Sequence, residues 1–137
     1  MGLYLTVFDN DYELDGVEVG SYADFAAFRS AVIFYIEDGV AGSRCPTLIL
    51  HSDCDGQWSP EEAVQLRMEL ELITREFIIL PPESDCTGWK LEVAKLFGLS
   101  RSNLYECFFD VDGEPLLDRL LGLVRLSIDR NLPILFQ

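Results

Sequence analysis

Positive charge is scarce in this sequence. Ten lysines and arginines stand against 24 aspartates and glutamates, which gives a formal net charge of −14 over 137 residues. A surface of that sign repels nucleic acids and anionic membranes and attracts basic partners. We therefore expect no nucleic-acid partner and no membrane partner. A second interpretation, that the acidity only keeps the protein soluble, stays open at this point.

Paired metal ligands are also missing. The sequence contains one histidine, His51, and none of its four cysteines forms a Cys-x-x-Cys pair with another. A zinc site with a histidine pair is therefore excluded, and an all-cysteine site would need an unusual spacing. We expect reduced, structural thiols, no metal site and no cofactor.

Catalytic signatures are absent as well. The sequence has no Gly-x-Ser-x-Gly, no phosphate-binding loop and no Gly-x-Gly-x-x-Gly. His51, Ser52, Asp53 and Cys54 are adjacent, but neighbouring side chains at the end of a strand point to opposite faces and do not converge. We predict no catalytic residue and no enzyme. The alternatives are a small carboxylate- or metal-dependent enzyme, because many acids are present, and a non-catalytic structural or regulatory subunit.

Long apolar runs and a basic N-terminal region are both lacking, so the sequence predicts no signal peptide and no membrane span. The hydrophobic fraction of 49% argues against intrinsic disorder. The length suits one domain of ordinary size. We expect a single soluble domain over residues 1–137, located in the cytoplasm.

Short apolar runs alternate with helical patterns along the chain. Asp15-Gly16 predicts a turn before a short second strand, and serine caps predict helices that begin at Ser21 and at Ser59. On the second of these helices the period places Glu69 toward water. The remaining predicted strands cover residues 3–8, 47–51, 104–109 and 134–136, and the remaining helices cover residues 89–97 and 115–130.

This order predicts an α/β or α+β fold, with a single mixed, partly parallel sheet and about four helices packed on it. Three groups of acids would then follow the carboxyl ends of strands and gather on one rim, where open α/β sheets place their ligands. The first group is Asp9, Asp11, Glu13, Asp15 and Glu18, the second is Asp53, Asp55, Glu61 and Glu62, and the third is Asp110, Asp112 and Glu114. The competing interpretation is that these acids only form loops and helix caps. None of the three groups completes a calcium-binding loop. The predicted partner-binding residues are Asp9, Asp11, Asp15, Asp53, Asp55, Trp58, Asp110 and Asp112.

Trp58 has two interpretations that the sequence leaves open. It precedes a helix cap within an acidic loop. Its ring therefore either fastens the start of that helix or serves as an exposed aromatic anchor for a partner. Trp89, in the predicted third helix, is interpreted as a core residue.

Several stretches without any catalytic signature together carry a resemblance to a known family. They include Asp15-Gly16-Val17-Glu18-Val19-Gly20-Ser21-Tyr22 and Asp110-Val111-Asp112-Gly113-Glu114-Pro115-Leu116. The others lie at residues 1–5, 7–9, 46–56, 58–62 and 133–137.

In these stretches the chain resembles immunity protein family seventy of bacterial polymorphic toxin systems, over most of its length except roughly residues 78–102. The resemblance implies a small cytoplasmic protein that binds and neutralises a cognate toxin domain and has no catalytic residues. Many such toxins are basic nucleases, and an acidic inhibitor suits a phosphate-binding groove.

Overall fold

The sheet in this computed structural model, which describes residues 2–52, 56–82 and 88–137, is antiparallel throughout. Its four strands lie in the order β2-β1-β4-β3. The predicted fold class is therefore right in combining one sheet with several helices, but the expectation of partly parallel strands is wrong. The strands are β1 (Gly2–Asp9), β2 (Tyr12–Ser21), β3 (Gln57–Trp58) and β4 (Ile134–Phe136).

Six helices occur among the described residues. Helices α1 and α3 each begin with a complete capping box, formed by Ser21 with Asp24 and by Ser59 with Glu62, as predicted. No described helix combines the length and the hydrophobicity that crossing a bilayer requires. The helices are α1 (Tyr22–Tyr35), α2 (Pro46–Ile49), α3 (Pro60–Ile78), α4 (Trp89–Phe97), α5 (Leu104–Cys107) and α6 (Leu116–Arg130).

Two predicted strands are short helices instead. Residues 47–51 overlap α2, and residues 104–109 overlap α5. An apolar run of four to six residues fits a buried strand and a buried helical turn equally well, so the sequence period could not separate them. Pro46 stands in the first turn of α2, and Asn103 caps α5 by accepting a hydrogen bond from the Glu106 N–H. These local signals favour a helix over a strand in both segments.

The β1–β2 hairpin turns earlier than predicted. Asp9 pairs with Tyr12, so the loop consists of Asn10 and Asp11, and Asn10 has a positive φ of 56°. Asp15-Gly16 lies inside β2. Gly16 is required there because the Tyr4 side chain lies where a β-carbon would be.

One face of the sheet is buried beneath α1, α3 and α6. Leu3, Leu5 and Val7 alternate along β1 and are fully buried in a single hydrophobic cluster with residues of those helices. The opposite face carries Tyr4, Thr6 and Phe8. Thr6 is nevertheless fully buried, and its hydroxyl has no hydrogen-bond partner among the described residues.

Two buried glutamates organise the segment between α1 and α3. Glu37 accepts hydrogen bonds from the N–H groups of Gly42, Arg44 and Cys45 at 2.8–3.0 Å. Glu69 accepts from the N–H groups of Thr47 and Leu48 at 3.2 and 3.0 Å. The expectation that Glu69 faces water is wrong because α2 packs against α3 and offers its unpaired N-terminal N–H groups there.

We expect replacement of Glu69 by alanine to lower the free energy of unfolding by about 3 kcal/mol, since two buried N–H groups lose a charged acceptor. Urea unfolding followed by circular dichroism measures this. Glu71→Ala is the matched control on the same helix, because Glu71 makes only a half-exposed ion pair with Arg67 at 3.9 Å. That control should stay within about 0.5 kcal/mol of the parent. Equal losses for both variants would contradict the capping role.

Candidate partner-binding surface

Arg119 of α6 joins two of the three acidic groups. Its Nε donates to Asp110 Oδ2 at 3.2 Å, and its Nη2 donates to the carbonyl oxygen of Gly16 at 2.6 Å. The same Nη2 lies 3.5 Å from Asp15 Oδ1. Arg119 therefore ties α6 to β2 and to the loop over residues 110–114. Arg119 was not identified from the sequence, although a charged residue beside the apolar stripe of α6 could have indicated it.

The loop over residues 110–114 is folded around the carboxylate of Asp110. Asp110 is fully buried, and its Oδ1 accepts hydrogen bonds from the N–H groups of Asp112 and Glu114, both at 3.0 Å. The N–H of Val111 donates to the Glu18 carbonyl oxygen at 3.2 Å, which docks the loop beside β2. Asp110 is thus a structural residue, and its position holds the side chains of Asp112 and Glu114 at the surface.

The predicted site residues differ in exposure. Asp9, Asp11 and Asp112 are exposed, and Asp15 is half-buried beside Arg119. The expectation of a common rim at parallel strand ends is wrong, because the strands are antiparallel. Arg119 instead links Asp15 of the first acidic group to Asp110 of the third. Asp53 and Asp55 lie outside the described residues. The prediction that Trp58 and Asp110 contact a partner directly is wrong, because both side chains are buried.

Trp58 is a core residue. Its side chain is 1% exposed, its Nε1 donates to the Thr47 carbonyl oxygen at 3.0 Å, and its ring lies 4.8 Å from that of Phe136. The exposed-anchor interpretation of Trp58 is therefore wrong. Pairing of β3 with β4 carries the ring into the core, and the sequence analysis missed β3 because it is only two residues long.

His51 and Cys45 both have contacts that do not favour catalysis. Both ring nitrogens of His51 lie near backbone carbonyl oxygens, of Ser52 at 2.7 Å and of Gln57 at 2.9 Å. Burial, followed by the charges of Glu69 and Glu37, raises the pKa of the Cys45 thiol to about 12. That thiol is consequently protonated at neutral pH and a poor nucleophile. No group of three potential metal ligands occurs within residues 2–52, 56–82 and 88–137.

An open groove of about 610 Å³ lies between the β1–β2 hairpin and α4. Sequence reasoning missed it and interpreted Trp89 as a core residue, whereas Trp89 is half-buried in the groove wall. Gly20 has a φ of 120°, and a β-carbon there would lie 2.7 Å from both the Trp89 ring and Asp24 Oδ2. Side chains of the groove come from Tyr4, Glu18, Trp89, Val93 and Val111.

Asp24 fixes the Trp89 side of the groove. Its Oδ2 accepts hydrogen bonds from the Trp89 indole at 2.9 Å and from the Ser21 N–H and hydroxyl, both at 2.8 Å. Burial alone would raise the pKa of Asp24, but these hydrogen bonds and the charge of Lys90 outweigh it and lower the pKa below the ordinary value of 3.8. The ionised carboxylate is the form that this geometry stabilises.

Comparison with known proteins gives one family. The family model described as immunity protein 70 matches residues 3–136. Neither the curated proteins nor the solved structures yield a significant match.

Arg119→Ala should lower the free energy of unfolding by about 2 kcal/mol, because Asp110 stays buried without its cation, with a discount for the 30% exposure of the arginine side chain. Urea unfolding measures the loss, and hydrogen exchange should show faster exchange at the Val111 amide. Arg125→Ala, an exposed site on the same helix, is the control and should change neither quantity. Unaltered protection at Val111 would contradict the anchoring role of Arg119.

The lowered pKa of Asp24 predicts a pH dependence of stability. Because the folded-state pKa lies below the unfolded one, the contribution of Asp24 is complete above the ordinary value of 3.8 and is lost as the pH falls through the folded-state value. Asp24→Asn should therefore be less stable than the parent at neutral pH, and the difference should shrink in acid. Thermal unfolding at a series of pH values measures it. A difference that is constant with pH would contradict the assignment.

Trp89→Phe serves as the matched variant for the same experiment. It keeps an aromatic ring in the groove wall and removes only the indole donor to Asp24. The pH-dependent part of the stability should become smaller in this variant without vanishing, because both hydrogen bonds from Ser21 remain.

Proposed function

This chain belongs to the immunity protein 70 family, and we propose that it binds a cognate bacterial toxin domain in the cytoplasm and neutralises it without catalysing a reaction. The match over residues 3–136 is the observation that carries the proposal. The matched range includes both acidic groups that Arg119 joins.

The charge distribution supports a basic toxin as the partner. No lysine or arginine precedes Arg29, so every charged side chain of the β1–β2 hairpin is acidic. Asp9 and Asp11 are exposed at its turn, and Asp112 is exposed on the loop beside it. Complementary charge of this kind accelerates association and selects against partners of the wrong sign.

The internal geometry supports binding by a surface that is rigid before the toxin arrives. The Asp110 carboxylate and Arg119 fix the loop and the hairpin relative to each other through hydrogen bonds of 2.6–3.2 Å. A fixed surface loses little conformational entropy on binding, which favours tight association. A basic nuclease whose phosphate-binding groove accepts these carboxylates is the toxin class that we propose.

Calorimetric titration with the toxin domain encoded beside this chain tests the proposal. We expect 1:1 binding on the order of nanomolar affinity or tighter, weakening as salt is raised. The double variant Asp11→Lys with Asp112→Lys should weaken binding, mainly through slower association. The control is the double variant Asp118→Lys with Asp129→Lys. It supplies the same change of net charge on the exposed face of α6 and should have a smaller effect.

The outcomes separate the parts of the proposal. Tight binding that is indifferent to salt and to the double variant would keep the immunity function and contradict the acidic surface. Absence of binding between the folded partners would contradict the function itself.

A further inference from the structure

We propose that the groove between the β1–β2 hairpin and α4 receives a basic side chain of the toxin, an arginine above all. This inference rests on the proposed function and deepens it, because it names a particular pocket within the binding surface and the chemical group that fills it. The groove is defined by Tyr4, Glu18, Trp89, Val93 and Val111.

Aromatic rings form two of its walls, and both are held in place. Trp89 is fixed by its indole hydrogen bond to Asp24 and by an edge-to-face contact with Phe109 at 6.1 Å between ring centroids. Tyr4 leans along β1 over Gly16. A guanidinium stacks well on aromatic rings, and a ring that is already fixed, as Trp89 is, loses little entropy when a planar cation binds.

Glu18 gives the groove its charge. Only its backbone is engaged, through the hydrogen bond that its carbonyl oxygen accepts from the Val111 N–H at 3.2 Å. Its exposed side chain has no hydrogen bond or ion pair with any described residue. A carboxylate beside aromatic faces is the combination that a guanidinium satisfies best, with paired hydrogen bonds at its edge and stacking on its plane.

The described cations do not compete for this position. No lysine or arginine lines the groove. Lys90 follows Trp89 in the chain, but its Nζ lies over the rings of Phe108 and Phe109, at 5.1 and 5.5 Å from their centroids. An anionic ligand is disfavoured since Glu18 lies in the groove and the Asp24 carboxylate stands directly behind Trp89.

Two glycines, Gly2 and Gly20, line the groove and let its walls pack closely. A β-carbon on Gly2 would lie 3.2 Å from the Gly20 carbonyl oxygen, and one on Gly20 would strike the Trp89 ring. The absence of a side chain at Gly20 therefore keeps Trp89 in its place against β2.

Glu18→Gln tests the inference with little risk to folding, because the side chain is exposed and the substitution preserves its size. We expect the affinity for the toxin domain to fall by about tenfold to a hundredfold, the value of one charged hydrogen-bonded contact. Asp129→Asn is the matched control, since it removes the same charge from an exposed position in the last turn of α6 and should leave the affinity unchanged. Equal affinities for the two variants would overturn the inference and leave the proposed function intact.

A second measurement does not depend on the toxin. N-acetyl-arginine methylamide, titrated at millimolar concentrations, should shift the indole N–H resonance of Trp89 in nuclear magnetic resonance spectra. The indole of Trp58 lies in the core and donates a hydrogen bond to the Thr47 carbonyl oxygen, so its resonance should not shift. The citrulline analogue, which is neutral and of the same shape, should have no effect, and neither should the arginine probe on Glu18→Gln.

The two measurements distinguish the two proposals. If the toxin domain does not bind but the arginine probe shifts Trp89 in a Glu18-dependent way, the groove stands and the proposed function fails. If the toxin binds and neither Glu18→Gln nor the arginine probe has the expected effect, the groove is overturned while the function stands.

Discussion

The ion pair between Arg119 and Asp110 links the first turns of α6 to the loop that precedes the helix. Arg119 also reaches the Gly16 carbonyl oxygen, 103 positions earlier, so one side chain connects α6, the loop over residues 110–114 and the edge of the sheet. Asp110 completes the arrangement from within by accepting two backbone hydrogen bonds of its own loop. This interaction therefore helps to fix the loop that carries Asp112 and borders the groove against β2.

Much of the fold followed from local signals. The capping boxes at Ser21 and Ser59, with the apolar stripes behind them, located α1 and α3, and the β-branched and aromatic residues at positions 3–8 located β1. The two misassigned strands were short apolar runs whose conformation depends on partners elsewhere in the chain. For α2 the partner is Glu69, which lies more than twenty positions away. The parallel arrangement was an error that followed from those two strands.

The candidate site was less predictable because its parts converge only in three dimensions. The acids at positions 9, 11 and 112 were identified from their grouping in the sequence and are exposed, but no local signal distinguishes Asp110, which is buried, from Asp112, which is not. For the same reason, the sequence did not reveal that Trp58 is more deeply buried than Trp89. Pairing of β3 with β4 buries the first, and the hydrogen bond to Asp24 holds the second in the groove wall.

The outer strand of the sheet has a further consequence for recognition. Two carbonyl oxygens of β2 are already engaged by groups outside the sheet: that of Gly16 accepts from Arg119, and that of Glu18 accepts from the Val111 N–H. A strand from another molecule could not pair with these two oxygens, which disfavours extension of the sheet along residues 16–18, a common mode of peptide capture and of unwanted aggregation. Contact at this part of β2 is therefore left to side chains such as Glu18, which recognise charge and shape rather than backbone.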